Sequence, residues 1–407
     1  MRKRLKLITM LIAGICCTSM LVGCGKSSQT SAEKDNKEVV VWSYLMDNEV
    51  EELDKIAQEW AKENGKKVKV IKDNSPFQSF LQAANSSKGP DLVFGLTHNN
   101  MGTFEQAGLL SEVPKDFANR QDYVNNAVWD AVSYDGKAYG VPLSMETYAL
   151  FYNKDKVKEV PTTIEDLVKQ AKAYGPSGFQ FSINEFYYGA AFVQSYGGYI
   201  FGGGNGTMNV DDIGLANDGA IKAYSFMQDL VQKDKLMPAD ITSDIANSSF
   251  KTGDAIFYIG GPWDISGFKD AGVNFGVVKL PKINGVEAKS FMGVQAGFVS
   301  SKSPIQDDAW NLMKYLSNNT GERLYKIGNR IPVRKAELNK DLIKNNEFTQ
   351  GFIAQTASAV PMPNVPEIEV IWKPMENMTR ILNGEDPATV AKDIEKAVKD
   401  GIKVSNN

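Results

Sequence analysis

The stretch Val39 to Phe94, VVVWSYLMDNEVEELDKIAQEWAKENGKKVKVIKDNSPFQSFLQAANSSKGPDLVF, decides the fold class. Val39-Val40-Val41-Trp42 is a β-branched run that reads as a buried strand. A helix follows, with Asn48 as its expected cap and Glu49, Glu51 and Glu52 in its first turn, where carboxylates favour the positive end of the dipole. Val50, Leu53, Ile56, Ala57 and Trp60 recur at the helical period, and Gly65 stops the run. Val68 to Ile71 is a second strand, Phe77 to Ala84 a second helix and Asp91 to Phe94 a third strand. A β-α-β-α-β order implies a largely parallel sheet in an α/β lobe.

Downstream the alternation resumes. Asn217 opens a helix with Ile221, Tyr224, Leu230 and Val231 on one face. Ala255 to Ile259 and Phe275 to Leu280 read as strands, and Ala309 to Leu316 as a helix. Asp386 caps a last helix whose first residue is Pro387, where a missing N–H costs nothing; it is expected to end at Gly401. No repeat of 20–50 residues is visible, against a solenoid. Gly202-Gly203-Gly204-Asn205-Gly206 reads as a surface turn; it lacks both the Lys-Ser/Thr of a P-loop and the spacing of a dinucleotide loop.

Upstream, Met1 to Lys6 is basic and Leu7 to Val22 almost wholly apolar, too short for a membrane span and fitting a secretory leader. Leu21-Val22-Gly23-Cys24 resembles a lipoprotein cleavage box, so residues 1–23 are expected to leave and Cys24 to carry lipid; an ordinary signal peptide cut elsewhere is the alternative. Loss of Arg2, Lys3, Arg4 and Lys6 takes the net charge from −4 to −8, and loss of Cys16 and Cys17 leaves Cys24 as the last cysteine. An exported chain without a disulfide must rely on its core. Residues 24–37, rich in Ser, Lys, Asp and Asn, are a polar tether. Two or more acyl chains there would hold the body firmly at a membrane surface.

At 407 residues, 43% apolar and 23% charged, the chain suits two or more packed α/β units. The balance of 45 basic and 49 acidic residues offers no field for nucleic acid. One histidine, His98, and three cysteines exclude a zinc finger or a His-based metal site, and any Ser-His-Asp or Cys-His chemistry would have to share that imidazole. No cofactor is expected. The 41 aromatics include several beside small or polar residues, as in Gly261-Pro262-Trp263, Asn184-Glu185-Phe186-Tyr187-Tyr188 and Ile371-Trp372-Lys373-Pro374. Such faces suit the C–H faces of pyranose rings, though most aromatics, Trp42 and Trp60 among them, belong in the core. Glu146 and Glu185 could also be an acid and nucleophile pair of a secreted glycoside hydrolase.

Several segments in order then show a family likeness. They are Gly89-Pro90-Asp91-Leu92-Val93-Phe94, Gln106-Ala107-Gly108-Leu109-Leu110, Asp135-Gly136-Lys137 with Tyr139-Gly140-Val141-Pro142, and Glu146 with Phe151-Tyr152-Asn153-Lys154-Asp155. Gly260-Gly261-Pro262-Trp263, Met292-Gly293-Val294 and Met362-Pro363-Asn364-Val365-Pro366 complete the set. Together they resemble the extracellular solute-binding proteins of bacterial ABC sugar importers, most closely the maltose/maltodextrin branch, over nearly all of the mature chain. The resemblance implies an α/β fold of two lobes with three inter-lobe crossings and a ligand cleft. The implied lobes are residues 38–144 plus 297–341 and residues 149–291 plus 348–407, with Met292 to Ala296 at a hinge crossing.

The same resemblance implies a non-enzymatic monomer that binds a malto-oligosaccharide or related sugar and meets ABC permease transmembrane subunits at the outer face of the cell membrane. A sensor lipoprotein that passes its ligand-bound form to a receptor is a further reading. Glu146 and Glu185 match sugar-bonding carboxylates, Tyr187, Trp263 and Trp372 match sugar-facing aromatics, and Met362 matches the methionine before Pro-Asn. The family's Asp-Arg pair becomes Asn99-Asn100, and the Trp before it becomes Leu96. Amides still bond hydroxyls but without charge assistance, so the sugar could be another oligosaccharide. Tyr44 and Asp47 are candidates on the loop after Trp42. His98 reads as a partly exposed loop residue, or as a sugar contact beside Asn99.

Overall fold

A computed structural model of the chain describes residues 38–86, 88–204 and 207–405. The leader, the tether and Cys24 lie outside the described residues. In chain order the elements that matter here are β1 (Glu38–Ser43), α1 (Asp47–Asn64), β2 (Lys67–Lys72), α2 (Phe77–Ala84), β3 (Leu92–Thr97), β4 (Val141–Thr147) and β5 (Ala149–Asn153). Then come β6 (Phe179–Gln180), α3 (Phe186–Ser195), α4 (Asp218–Gln232), β7 (Phe257–Gly260), β8 (Phe275–Val278) and β9 (Phe291–Val299). The last are α5 (Gln306–Asn319), β10 (Ile331–Pro332), α6 (Glu347–Thr356), β11 (Val360–Pro361) and α7 (Pro387–Ser405).

The expected β-α-β-α-β unit is present. β1 lies between β2 and β3, parallel to both, with Val41 opposite Val70 and Leu92. The sheet continues β3-β9-β4-β10, with β9 antiparallel to both neighbours and β11 also paired to it. A second sheet runs β8-β5-β7-β6, in which β6 and β7 are parallel. Each sheet anchors one lobe. The chain passes from the first sheet to the second between β4 and β5, through fully buried Tyr148, and returns from β8 to β9. It leaves again after β10, since α6 packs on β8.

These passages are bonded to one another. Thr147 Oγ1 donates to the Phe291 carbonyl at 2.7 Å, and the Phe291 N–H donates to the Tyr148 hydroxyl at 3.3 Å. Val360 N–H donates to Ser290 O at 2.8 Å, and Met362 N–H to Met292 O at 3.2 Å. Every residue of β9 is buried, so the Met292 to Ala296 stretch is continuous strand. Within it Gly293 leaves room for Glu146, since a Cβ there would meet Glu146 Cγ at 2.9 Å.

The sequence expectations fail locally at four points. Helix α1 starts at Asp47, and the Glu49 carboxylate takes the Met46 N–H at 2.9 Å, so Glu49 rather than Asn48 closes the helix start. Helix α7 runs through Gly401 to Ser405. A Cβ at Gly401 would meet Val370 Cβ at 3.3 Å, so the glycine serves close packing within the helix and not termination. Gly202 to Gly204 pair with Thr207 to Asn209 and so end a β-hairpin strand (Tyr199–Gly204) instead of forming only a turn. Trp42 is half-buried with its ring edge-on to Phe80, whereas Trp60 is the core residue expected.

Candidate ligand site at the strand ends

In open α/β sheets the carboxyl ends of parallel strands form the natural crevice for a ligand. In the first sheet β1, β3 and β4 run the same way, because each of β3 and β4 is antiparallel to β9. Their carboxyl ends carry Tyr44, the His98-Asn99-Asn100 turn and Glu146 respectively. In the second sheet the carboxyl ends of β6 and β7 lead to Glu185 and to Gly261-Pro262-Trp263. Both sheets therefore offer predicted sugar-bonding residues from one kind of edge.

Glu146 is half-buried between two neighbours. On one side Gly293 lies opposite it in the ladder, and a Cβ there would meet Glu146 Cγ at 2.9 Å. On the other side Arg330 Nη1 stands 3.6 Å from its Oε2. Burial pushes the Glu146 carboxyl above its ordinary range, the Arg330 charge opposes that, and the nearby Glu49 charge adds to it.

Tyr187, at the start of α3, feels the Glu146 charge and packs edge-on against Tyr148 at 5.1 Å and Tyr188 at 5.2 Å. Burial raises its hydroxyl far above the usual phenol range, so it stays a neutral donor. Tyr188 is buried, and its hydroxyl faces Asp264, Glu185, Ser243 and Trp263. Glu185 is exposed, with Oε1 accepting from Ser243 Oγ at 3.2 Å.

Trp263 is 51% exposed, which is high for an indole in a folded core. The turn that presents it is held by buried Asp264. Its Oδ2 accepts from Gly261 N–H at 3.1 Å and Tyr258 OH at 3.2 Å, and its Oδ1 from Asn247 Nδ2 at 2.8 Å. Burial dominates over these bonds and raises the Asp264 carboxyl to about 6.

Glu146, Tyr187, Glu185 and Trp263 thus form one run of neighbours through Tyr188 and Asp264. Asn99 and Asn100 are half-buried one strand away, since Thr97 and Ser144 both face Gln295 in the ladder. Asn100 spends an N–H on Thr97 Oγ1 at 2.7 Å. Tyr44 packs edge-on against Phe80 at 4.9 Å and donates to Ser75 O at 2.6 Å. Asp47 is exposed and paired with Lys72 at 2.5 Å. Trp372 opens a short helix and is half-buried against the core. Met362 lines a cavity of about 450 Å³ beside Asp130, Tyr199 and Lys289, whose lining includes none of Glu146, Glu185, Tyr187 or Trp263.

His98 corrects its expectation outright. It is fully buried, with Nδ1 accepting from Val294 N–H at 3.1 Å and Nε2 donating to Met362 O at 3.0 Å. Burial lowers its pKa to about 4, so the ring is neutral and its tautomer is set by these two bonds. It joins the turn after β3 to two inter-sheet segments and does not face a sugar from an exposed loop.

Arg330 and Asp264 escaped sequence reasoning, while in the sequence Glu49 reads only as a first-turn carboxylate and Tyr188 only as one aromatic of a quoted segment. Tyr188 and Asp264 stand beside residues already singled out, and that adjacency was the available signal. Arg330 had none, because its partner Glu49 is 281 residues away.

The family described as bacterial extracellular solute-binding protein matches residues 55–350. The galactooligosaccharide-binding protein of Bacillus subtilis (strain 168) is 33% identical over 411 residues, covering 95% of each chain. The maltodextrin-binding protein MdxE of the same organism is 30% identical, covering 94% of each. Among solved structures, the maltose-maltodextrin binding protein of Alicyclobacillus acidocaldarius superposes with TM-score 0.77 at 33% identity, over 89% of this chain and all of that one. A cyclo/maltodextrin-binding protein complexed with maltotetraose gives TM-score 0.83 at 30% identity, over 92% of this chain and 99% of that one. With its two lobes, its sheet-end site and these likenesses over almost its whole length, the chain belongs to the bacterial extracellular solute-binding protein family.

Proposed function

We propose that this protein captures a malto-oligosaccharide between its two lobes outside the cell and hands it to the transmembrane subunits of an ABC importer. The observation that carries the reading is the convergence, at carboxyl strand ends of both sheets, of Glu146, Tyr187, Glu185 and half-exposed Trp263. Carboxylates accept from sugar hydroxyls, and an exposed indole gives a ring face for a pyranose. Tyr44, Asn99, Asn100, Trp372 and Met362 complete the proposed lining, and the lobes correspond to residues 38–144 plus 297–341 and 149–291 plus 348–407.

Calorimetric titration with maltose, maltotriose, maltotetraose and galacto-oligosaccharides tests the reading, and tight binding of a malto-oligosaccharide is expected. A galacto-oligosaccharide is the second reading, favoured by the name of the 33% identical relative and by the neutral Asn99-Asn100 pair. Preference for it would replace the sugar while keeping the mechanism. Glu146 and Glu185 act as binding groups, so maltotetraose incubated with the protein should come back intact. Shorter products would turn the reading to hydrolysis.

The protein acts as a monomer held by lipid at Cys24. The support is the basic n-region, the apolar run and Leu21-Val22-Gly23-Cys24. Cys24→Ser should release the protein or leave it uncut. A shortened variant that still sediments with membranes would end the anchoring claim.

A further inference from the structure

Arg330 lies outside every segment that carried the family resemblance, yet it is held firmly in place. Asn329 ends the helix Gly321–Gly328 in the left-handed conformation, φ 54°, which asparagine tolerates better than most residues. That turn sends the chain into β10, where Ile331 faces Met145 and Pro332 faces Ser144. The antiparallel register therefore sets Arg330 across from Glu146.

The guanidinium is held from behind. Nε and Nη2 donate to the two Glu49 oxygens at 2.8 and 3.2 Å, a bidentate fork. Glu49 is 1% exposed and also takes the Met46 N–H, so its carboxylate is satisfied. Gly328 leaves room for it, because a Cβ there would come within 1.9 Å of Glu49 Oε1.

Nη1 remains. It pairs in charge with Glu146 Oε2 at 3.6 Å, beyond hydrogen-bond range. Two groups of opposite charge, both part-exposed, thus sit side by side with unused hydrogen-bonding capacity. Asn99 and Asn100 are neutral, and Asn100 already donates to Thr97, so among these first-sheet strand-end groups Arg330 is the one able to make a charge-assisted donation. A sugar hydroxyl both donates and accepts, and two adjacent ring hydroxyls can use an acceptor and a donor held in this way.

We propose that Arg330, locked by Glu49, is a specificity-determining residue that donates to one hydroxyl of a pyranose while Glu146 accepts from its neighbour. The inference rests on the oligosaccharide reading above and adds one direct ligand contact to it. Glu49 is a positioning residue, since it acts only through the guanidinium.

The test is titration of maltotriose, the galacto-oligosaccharide panel and singly deoxygenated analogues of whichever sugar binds. It uses wild type, Arg330→Gln and the double variant E49Q/R330Q. The double variant removes both charges of the buried fork together, so Glu49 is not left as an orphan buried charge. A hydrogen bond to a charged group corresponds to roughly 10–100-fold in affinity, and both variants should lose about that much. One deoxy analogue should cost wild type the same factor and cost the variants little, because the contact is already gone.

Wild-type affinity retained within about twofold in both variants overturns the inference and leaves the binding reading intact. Equal losses in the variants against every analogue also overturn it, since a packing role would produce that pattern. If wild type binds none of these sugars, the binding reading fails and the inference with it.

Discussion

His98 Nδ1 accepts the Val294 N–H at 3.1 Å, so the turn after β3 is bonded to the strand that returns from the second sheet to the first. The opposite ring nitrogen donates to Met362 O. A neutral imidazole with one acceptor and one donor is thus used fully inside the junction between the sheets.

Protonation would remove the acceptor, and the ring resists it, with a pKa of about 4 against 6.5 for a free histidine. The unfolded chain binds this proton more readily. The stabilisation is therefore complete above about pH 6.5 and is lost as pH falls toward 4, by on the order of 3 kcal/mol. His98→Gln keeps a donor and an acceptor without titrating. Its melting temperature should fall less than that of wild type between pH 7 and pH 4.5, and equal acid sensitivity in the two proteins would count against the argument.

Asp264 works in the opposite direction. Its folded pKa is raised to about 6 from 3.8, so its contribution is complete below pH 3.8 and is lost as pH rises through 6. The two groups offset each other across the same window. Asp264→Asn, with the Asn247 amide turned to present its oxygen, removes one partner of that balance. The variant should be more acid-sensitive than wild type in melts from pH 7 to 4.5. A flatter profile than wild type would refute the assignment.

The fold was legible where local pattern and packing agree. The β-branched run at Val39 and the helical period from Val50 to Trp60 need no distant partner to be recognised, and both appear where expected. That Glu146, Glu185, Tyr187 and Trp263 would stand near one another was legible because each sits in a recognisable segment at a strand end, and their contact with a sugar is the proposal that titration tests. The failures share a different cause. His98 looks like a polar loop residue until Val294 and Met362, 196 and 264 residues on, are folded around it. Glu49 looks like a solvated first-turn carboxylate until Arg330 arrives from the far end of the chain. Gly401 looks like a stop because the neighbour it accommodates, Val370, belongs to a separate turn. Polar side chains satisfied by long-range partners leave no periodic trace.

Trp263 and Trp372 should separate into ligand and mixed roles. Trp263 is 51% exposed, so Trp263→Ala should weaken oligosaccharide binding by roughly 30-fold, about 2 kcal/mol, with little change in melting temperature. Trp372 also packs on the core, so Trp372→Ala should lose affinity and stability together. Trp60→Phe, at a core site whose indole N–H reaches Asn311 Oδ1 at 3.1 Å, should lower stability and leave affinity nearly unchanged. Titration beside thermal melts reads all three, and comparable affinity losses at Trp60 and Trp263 would undo the site assignment.

Closure is the remaining consequence. Asn99, Asn100 and Glu146 stand at strand ends of the first sheet, while Glu185 and Trp263 stand at strand ends of the second. A sugar long enough to touch both sets gains contacts only when the sheets approach, and a ligand shifts a conformational balance only by its preference for one state. The passages at Tyr148, at β9 and after β10 are the places where small backbone changes could swing one lobe against the other. Maltotriose, if it is the sugar bound, should therefore reduce the radius of gyration in small-angle scattering and raise the melting temperature by mass action, about 2.7 kcal/mol of added stability at a hundredfold excess over Kd. Glucose, too short to reach both sets, should do neither. Because His98 bonds two of the inter-sheet segments to the turn carrying Asn99, His98→Ala should weaken maltotriose binding by loosening that turn, although His98 itself makes no proposed sugar contact, and unchanged affinity by titration would count against this role. Tight binding with an unchanged radius of gyration would leave capture standing and remove closure.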